Sequence, residues 1–546
     1  HPDENTIVSL RRVHAQWDRL YRVLLDVEEF WWWKIWPFSD RALTGLQREL
    51  HCTANRESLE AQRRDEVTRM EESIEGLIHR IESIERHPWW RLGLGMRRLA
   101  GGLGLKSREF TLPTDGVEAL VQQYRENPLN ASTENTGDAL PPEAPTLLTL
   151  LHDGDGGTQF TTLDLLARAC LSYRCVVVKT GLEAWWLYEM QDGILRMVDE
   201  HRFQESWRVE ATLDDERRRV LDVIVANYSP DVAHLHHFLG HHPESIQVLK
   251  DHDVRVVLTF HDFYCVCPGF KLLNEEGQYC AGNCAESDSD CSLACNWFIN
   301  PPRPMSAFSP EWRAGIEPFL QQCDAFVTPS ESTRDILVTH YPWLGEREVS
   351  VIEHGIDQSE FSPALSPTLS KDTPMRVLFL GTLTRDKGAV LLEGIMAENE
   401  HAECPIQLHV LGDSGRLREE RAGCTFHGAY QREDLPRLLA TINPHLILIP
   451  SIWPETFCCT LSEAWAAGIP VLGSHLGAIG ERITRNGGGW TLAPEDPAQW
   501  LATIHAIGDD EQGYHAHAER IREMELLGMD ESTGLYLELY QSLRDI

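Results

Sequence analysis

From residue 146 onward, short apolar runs alternate with amphipathic segments, the pattern of parallel strands joined by helices. Connections of this kind are right-handed and build parallel sheets. We therefore predict an α/β fold with two Rossmann-like domains that face a cleft. The predicted strands cover residues 146–152, 175–179, 223–226, 232–235, 254–259 and 325–328 in the first series, with a helix over 162–171, and 377–380, 407–411, 446–449 and 471–472 in the second.

Polar, proline-rich stretches separate these series from the rest of the chain. Residues 126–145 form a predicted linker, and residues 362–374 form a second one. The amino-terminal Rossmann-like domain is therefore expected over 146–361 and the carboxy-terminal one over 375–510.

Residues 1–125 have a different pattern, rich in Trp and predicted to be helical. Apolar residues at heptad spacing over 67–84 indicate a short coiled coil, used either for self-association or for packing within the chain. Trp clusters beside basic residues at 31–36 and 89–98 are typical of a membrane surface, where Trp prefers the interface. The alternative is that these Trp side chains pack against the other domains.

The composition argues against a nucleic-acid-binding, membrane-spanning or secreted protein. In 546 residues, 49 basic and 84 acidic side chains give a net charge of −35, which argues against nonspecific nucleic-acid binding. We find no apolar stretch of the roughly 18–20 residues that spans a bilayer and no secretory signal. The 14 Cys are not spaced as in a secreted disulfide scaffold, so a cytoplasmic enzyme is expected. The start at His1, without Met, suggests trimming from a longer polypeptide.

The most informative segment follows the apolar run 446–449. Glu455 lies in the loop after this strand, and Glu463 lies eight residues later, inside the next helix. Open α/β sheets bind ligands at such loops. Backbone N–H groups at the helix start attract phosphate, and carboxylates accept hydrogen bonds from sugar hydroxyls.

This segment resembles the E-x7-E element of the group 1 retaining glycosyltransferases, which have the GT-B fold. The resemblance implies that Glu455 holds the donor sugar and Glu463 the ribose diol. Phe457, Cys458 and Cys459 would then line the donor site, with N–H groups of the first two on sugar and phosphate. It also implies that no catalytic metal is needed, and that helices in 511–546 pack back on the amino-terminal domain.

Two further loops resemble family elements that bind anions. Residues 381–388 resemble a Gly-Arg…Lys-Gly element whose Arg and Lys bind the donor diphosphate. Lys387 matches the Lys, Thr382 stands where the family has Arg, and Arg385 is the candidate to supply the missing charge. The loop 153–158 resembles a Gly-Gly-Gly-Thr loop that contacts acceptor or phosphate, with Asp155 replacing one Gly; the matching residues are Gly156, Gly157 and Thr158.

The same resemblance identifies two further candidate residues, His261 and Tyr430. His261 follows a strand end, where the family has a His near the transferred sugar; the alternative is that it caps the next segment. A neutral imidazole exchanges hydrogen bonds with sugar hydroxyls or assists the nucleophile. Tyr430 lies in a segment resembling the one that meets the nucleotide base.

Six Cys fall within residues 265–295, in a polar segment too small for a core of its own. A structural zinc ion would hold this insertion in shape in a reducing compartment, and disulfides or an iron–sulfur cluster are the alternatives. Resemblance to related glycosyltransferases implies Cys267, Cys280, Cys291 and Cys295 as ligands, with Cys284 or Cys265 as substitutes.

The function implied by the resemblance is retaining transfer of a hexosyl or deoxyhexosyl unit from a nucleotide-sugar to a glycan or lipid-linked glycan. The front region suggests surface-polysaccharide assembly (lipopolysaccharide O-antigen, capsule or exopolysaccharide) at the inner face of the cytoplasmic membrane. The alternatives are a nucleotide-sugar epimerase of the same fold and a catalytically silent binding module, which Thr382 favours.

Overall fold

The computed structural model describes residues 140–545, with gaps at 142, 155, 192, 210–211, 275–276, 284–304, 362–364, 366, 370–372, 403 and 414–422. The predicted coiled coil, the Trp clusters and most of the 126–145 linker lie outside these residues. The described residues form two sheets, each flanked by helices. The prediction of an α/β fold with two Rossmann-like domains is therefore confirmed.

The amino-terminal sheet has eight strands in the order β4-β3-β2-β1-β5-β6-β7-β8. It is parallel from β2 to β8, and β3 is antiparallel to β2. Its strands are β1 Thr146–His152, β2 Arg174–Thr180, β3 Ala184–Gln191, β4 Ile194–Arg202, β5 Val232–Leu235, β6 Arg255–Thr259, β7 Ala325–Thr328 and β8 Val349–Val351. Its helices are α1 Gly157–Ala169, α2 Asp215–Tyr228, α3 Ser245–Asp251, α4 Met305–Leu320 and α5 Glu331–His340.

The carboxy-terminal sheet has six parallel strands in the order β11-β10-β9-β12-β13-β14. They are β9 Arg376–Leu380, β10 Gln407–Leu411, β11 Cys424–Gly428, β12 Leu446–Ile449, β13 Val471–Ser474 and β14 Gly489–Leu492. The helices are α6 Ala389–Glu400, α7 Leu435–Ile442, α8 Cys459–Ala466, α9 Gly477–Asn486, α10 Pro497–Asp509, α11 Glu511–Arg522 and α12 Met529–Arg544.

Strand order reverses at one place in each sheet, and these places position the candidate site. In the first sheet β1 lies between β2 and β5, and in the second β9 lies between β10 and β12. Loops at the carboxyl ends of strands diverge at such switch points and leave a crevice for a ligand.

One predicted strand is wrong. Residues 223–226 belong to the helix Asp215–Tyr228, which starts where the Asp214 side chain accepts a hydrogen bond from the Arg217 N–H. Leu221, Ile224 and Val225 are buried at helical spacing, whereas Val223 is 58% exposed. The helix predicted over 162–171 begins earlier, at Gly157.

The last helix, Met529–Arg544, packs on the amino-terminal domain, against Gly157–Ala169 and Val232–Leu235. Tyr540 O–H lies 2.6 Å from His234 Nδ1, and Arg168 forms an ion pair with Asp530 at 2.6 Å. Among the described residues, no helix combines the length and apolar character needed to cross a membrane.

Candidate active site

The loop between Leu446–Ile449 and Cys459–Ala466 holds Glu455 in a buried position, 4% exposed. The Glu455 Oε1 atom accepts a hydrogen bond from Lys387 Nζ at 2.8 Å and another from the Ser451 hydroxyl. Lys387 comes from the loop after the neighbouring strand Arg376–Leu380. The two loops at the second switch point therefore meet through a charged pair.

Lys387 stays protonated because of this pair. Burial alone lowers its pKa, but attraction to the Glu455 carboxylate outweighs burial, and the pKa lies above its ordinary value. The following residue, Gly388, has φ +89°, and a Cβ there would meet the carbonyl oxygen of Pro450. A glycine is therefore required where the two loops touch.

Arg482, whose side chain is buried, contacts the residues at the start of the helix Cys459–Ala466. Its guanidinium donates to the carbonyl oxygens of Phe457 (3.0 Å) and Cys458 (3.2 Å) and to the Ser462 hydroxyl (2.7 Å). Cys458 has a left-handed backbone, φ 69°, which is uncommon for a residue with a side chain. Arg482 thus fixes the peptide groups around the predicted donor-binding residues, and sequence patterns do not indicate this role.

Glu463 lies in the same short helix, about one turn after Cys459. Burial raises its pKa, while nearby Arg432 opposes the shift. Tyr430 lies close to Glu463, and burial raises the Tyr430 pKa. The structure thus brings Tyr430, Glu463 and Cys459 together, and it adds Arg432, which the sequence analysis missed. Its position two residues after Tyr430 is the signal that could have identified it.

Two other predicted donor-loop residues, Thr382 and Arg385, have different surroundings from Lys387. Thr382 is exposed, and the Arg385 guanidinium lies against Gly277 of the 265–295 insertion, within 3.0 Å of where a Cβ would stand. The adjacent Asp386 forms an ion pair with Lys271 of the same insertion at 2.8 Å. The structure therefore places the Arg385 guanidinium beside the insertion.

His261, which follows Arg255–Thr259, lies within a group of imidazoles. Its Nε2 is 2.8 Å from His236 Nδ1, and its ring stacks on His354 at 5.4 Å between centroids. Burial lowers the pKa of His261, and the neighbouring His236 adds to the effect. The ring is therefore neutral at physiological pH.

The glutamate loop reaches His261 directly. The Thr456 hydroxyl donates to the His261 carbonyl oxygen at 2.7 Å, and the Thr456 carbonyl oxygen accepts from the Thr333 hydroxyl at 3.2 Å. Trp453 of the same loop packs within the core of the amino-terminal domain. The elements predicted to hold donor sugar and nucleophile thus face one another across the two domains.

The glycine loop lies at the first switch point. Gly157 begins the helix Gly157–Ala169, and a Cβ at Gly156 or Gly157 would meet open space. Among the residues that the structure describes, no side chain caps this helix start. The Thr158 carbonyl oxygen accepts from the Thr162 hydroxyl. Gly156 and Gly157 are therefore accessible to a ligand.

The cysteine insertion is only partly described. Cys265 and Cys267 are buried, Cys280 packs against the amino-terminal core, and Cys284, Cys291 and Cys295 lie outside the described residues. Burial raises the pKa of the Cys265 thiol. Within the residues that the structure describes, no cluster of three or more His, Cys, Asp or Glu side chains forms a metal site. The zinc site stays a prediction.

Comparison with known proteins agrees with this architecture. Residues 374–510 match the family described as "Glycosyl transferases group 1", and residues 198–360 match "Glycosyltransferase Family 4". The chain is similar to a glycogen synthase of Mycobacterium tuberculosis, 22% identical over 306 residues, 54% of this chain and 64% of that protein. An amylovoran biosynthesis glycosyltransferase of Erwinia amylovora is 29% identical over 29% of this chain and 41% of the relative. The matches thus span less than two thirds of these relatives.

Among solved structures, sucrose-phosphate synthase from Thermosynechococcus elongatus has a TM-score of 0.50 at 17% identity, covering 73% of this chain and 99% of that one. This likeness shows the fold. With both Rossmann-like domains matched in order along one chain, the protein belongs to the group 1 glycosyltransferases of the GT-B fold.

Proposed function

We propose that this chain transfers a sugar from a nucleotide-sugar donor to a hydroxyl of a growing glycan, with retention at the anomeric carbon. The observation that carries the proposal is the buried Glu455 carboxylate, held by Lys387 at the switch point of the second sheet. Through Thr456 the same loop is bonded to His261. Loops that follow three strand ends thus meet here, and they carry a carboxylate, an ammonium group and a neutral imidazole.

The donor occupies the carboxy-terminal side of this site in the proposal. Glu455 accepts hydrogen bonds from donor-sugar hydroxyls, and Lys387 faces the diphosphate. N–H groups of Phe457 and Cys458 contribute to the diphosphate and sugar contacts at the helix start. Glu463 accepts from the ribose diol, and Tyr430 lies toward the base. These positions follow family resemblance, and the grouping of Tyr430, Glu463 and Cys459 supports them.

Retention follows from attack on the face that the leaving group vacates. The acceptor oxygen bonds to the anomeric carbon as the bond from that carbon to the diphosphate oxygen breaks. The acceptor proton passes to the departing diphosphate, whose growing negative charge Lys387 stabilises. Neutral His261 orients the acceptor hydroxyl or a neighbouring sugar hydroxyl, because an uncharged imidazole both donates and accepts.

The products and setting are also part of the proposal. Two relatives are named for glycogen synthesis and amylovoran biosynthesis, which supports a glycan product. We place the reaction in surface-polysaccharide assembly in the cytoplasm, with a lipid-linked glycan as acceptor and the Trp-rich front at the inner membrane face. Self-association through residues 67–84 and a structural zinc ion belong to the same proposal.

One observation favours a second candidate, a silent binding module. Thr382 is exposed where the family has Arg, and Arg385 lies against Gly277, so the second diphosphate cation is displaced. Such a module binds nucleotide without turnover. The product distinguishes an epimerase of the same fold from a transferase, because an epimerase forms a free sugar or an epimer from the donor alone.

The test is a melting-temperature screen of the purified chain against UDP-, GDP-, dTDP- and CMP-sugars. A donor at about one hundred times its Kd stabilises the folded state by about 2.7 kcal/mol. We expect a shift with one nucleotide class, lost in Glu455→Gln and kept in Glu495→Gln, an exposed glutamate of the same domain.

The donor that binds is then incubated with lipid-linked glycan extracts and the product analysed for anomeric configuration. Glycan elongation with the donor's own configuration supports the proposal. No shift with any donor, or an inverted product, contradicts it. Binding without transfer to any extract favours the silent module.

A further inference from the structure

A buried positive charge lies beside the start of the helix Cys459–Ala466. Arg482 is 1% exposed, and its guanidinium lies over the Phe457 ring at 3.9 Å and near the Trp465 ring at 5.4 Å. A cation over an aromatic face is stabilised by the charge distribution of the ring. Because a guanidinium does not lose its proton in proteins, this charge is permanent.

The carboxylate beside Arg482 is shared with a second arginine. Glu353 Oε2 lies 3.9 Å from Arg482 Nε, and Glu353 Oε1 pairs with Arg485. Arg482 Nε has no hydrogen-bond partner among the described residues. Two guanidinium groups thus face one carboxylate, and this leaves a net positive charge next to the helix start.

The peptide groups that Arg482 contacts have a defined orientation. The guanidinium donates to the carbonyl oxygens of Phe457 and Cys458 at 3.0 and 3.2 Å. In a trans peptide the C=O and N–H groups point in opposite directions. The N–H groups of these two peptides belong to Cys458 and Cys459, and they therefore point away from the guanidinium.

These two N–H groups are available to a ligand. In the part of the chain that the structure describes, neither donates a hydrogen bond, and no side chain caps the helix start. Cys458 has a left-handed backbone and precedes the helical Cys459. Successive N–H groups in such a combination form a concave binding site for an anion. An anionic ligand would also provide the partners that the first N–H groups of a helix lack.

Lys387 acts on the same two residues as Arg482. Burial raises the pKa of the Cys458 and Cys459 thiols, and both cations oppose that rise. A donor bonded to a carbonyl oxygen also polarises the peptide, which strengthens its N–H group as a donor. The charge of Arg482 is therefore transmitted through the two peptides to an anion on their other side.

We infer that Arg482 supplies the second positive charge of the donor diphosphate site, in place of the Arg that the family has at the position of Thr382. It is a positioning residue, because it acts through the two peptide groups and touches neither diphosphate nor sugar. The N–H groups of Cys458 and Cys459 bind the diphosphate together with Lys387. This role rests on the proposed function.

The experiment compares ligands with and without the diphosphate. Calorimetry on the full chain measures the Kd of UDP, GDP and dTDP, and saturation-transfer NMR measures binding of the matching nucleosides. Arg482→Met removes the charge and its hydrogen bonds. We expect the diphosphate that binds the wild type to bind about tenfold more weakly, an effect of about 1.4 kcal/mol, and the nucleoside to bind as before. A role confined to folding would weaken both ligands alike.

Arg520→Met is the matched control. Arg520 also donates to a backbone carbonyl oxygen of this domain, that of Asn486 at 3.1 Å, but its side chain is exposed. We expect its diphosphate Kd to equal that of the wild type. Arg482→Lys keeps a positive charge and should restore part of the lost affinity. Melting curves establish which variants are folded.

Glu353→Gln decides the question if Arg482→Met does not fold. This change leaves the bonds from Arg482 to the two peptides in place and removes the carboxylate that offsets its charge. The diphosphate should then bind more tightly at low salt, by about two- to fivefold. Glu495→Gln, at an exposed position, should leave the Kd unchanged.

A selective loss of diphosphate affinity in Arg482→Met supports the inference, and so does the gain in Glu353→Gln where Arg482→Met is unfolded. An unchanged Kd in folded Arg482→Met, or equal losses for diphosphate and nucleoside, overturns it and leaves the proposed function in place. An unchanged Kd in Glu353→Gln does the same where that variant decides. If the wild type binds none of the three diphosphates, the inference is overturned, and a negative nucleotide-sugar screen would then refute the proposed function as well.

Discussion

Arg432 Nη1 donates to Asp164 Oδ2 at 2.7 Å, and this ion pair joins the two Rossmann-like domains. Lys271 and Asp386 join them a second time at 2.8 Å. The paired side chains are 12–37% exposed. Partly exposed pairs contribute about 0.2–1 kcal/mol each, so the closed arrangement depends on several weak contacts together.

Asp164→Asn combined with Asp386→Asn is expected to open the cleft more than either change alone. Small-angle scattering at low salt would then show a larger radius of gyration for the double variant. Asp434→Asn is the control, because Asp434 pairs with Arg437 within one domain. A double variant with the wild-type radius would show that the backbone and Thr456 contacts suffice.

Glu455 and Lys387 are expected to be coupled in stability. Removing the Glu455 charge leaves the Lys387 ammonium with a weaker partner, which costs about 1–3 kcal/mol in the free energy of unfolding. Lys387→Met in the Glu455→Gln background should cost less than in the wild type, because the contact is already weakened. Urea denaturation of the four proteins measures the coupling, and additive losses would contradict it. Glu495→Gln should stay within about 0.5 kcal/mol of wild type.

The buried imidazoles should make the protein less stable in mild acid. Burial, with Arg482 adding, lowers the pKa of His354 from 6.5 to about 3. As pH falls below 6.5, the unfolded chain takes up a proton that the folded chain does not, so stability falls and continues to fall toward pH 3. One such His accounts for about 2 kcal/mol between pH 7 and pH 5.

His354→Gln should therefore flatten the dependence of unfolding free energy on pH over this window. His401→Gln, at an exposed helix end, should leave it unchanged. Equal slopes for wild type and His354→Gln would show that His354 titrates normally in the folded protein.

The cysteine insertion is predicted to bind one zinc ion per chain. Elemental analysis of the purified protein measures its content, and a strong chelator should lower the melting temperature, because structural zinc contributes to folding. Cys280→Ser should reduce the content, and Cys404→Ser, an exposed cysteine elsewhere, should not. Full-length protein without zinc, or with iron and sulfide, would refute the prediction.

The sequence predicts strands best where burial is uniform. Leu446–Ile449 and Ala325–Thr328 have the expected bounds, because short apolar runs suit strands buried on both faces. The 223–226 strand is wrong because a short apolar run inside an amphipathic helix resembles a strand until the Asp214 cap is considered.

Some residues of the candidate site could likewise be predicted from local sequence, and others could not. Glu455 and Lys387 lie in local motifs, so their elements are recognisable, and the structure adds that they touch. Arg432, Asp164 and the orientation of Arg385 depend on how two domains pack, which no local pattern contains.

The bond between His234 and Tyr540 joins residues 306 positions apart. At about 5–20 residues per second on the ribosome, Tyr540 is made roughly 15–60 seconds after His234. For that interval the strand Val232–Leu235 lacks the helix that covers it. The amino-terminal domain therefore reaches its final form late in synthesis, after the domain that follows it in the sequence, and a nascent chain has an exposed apolar face for chaperones to protect.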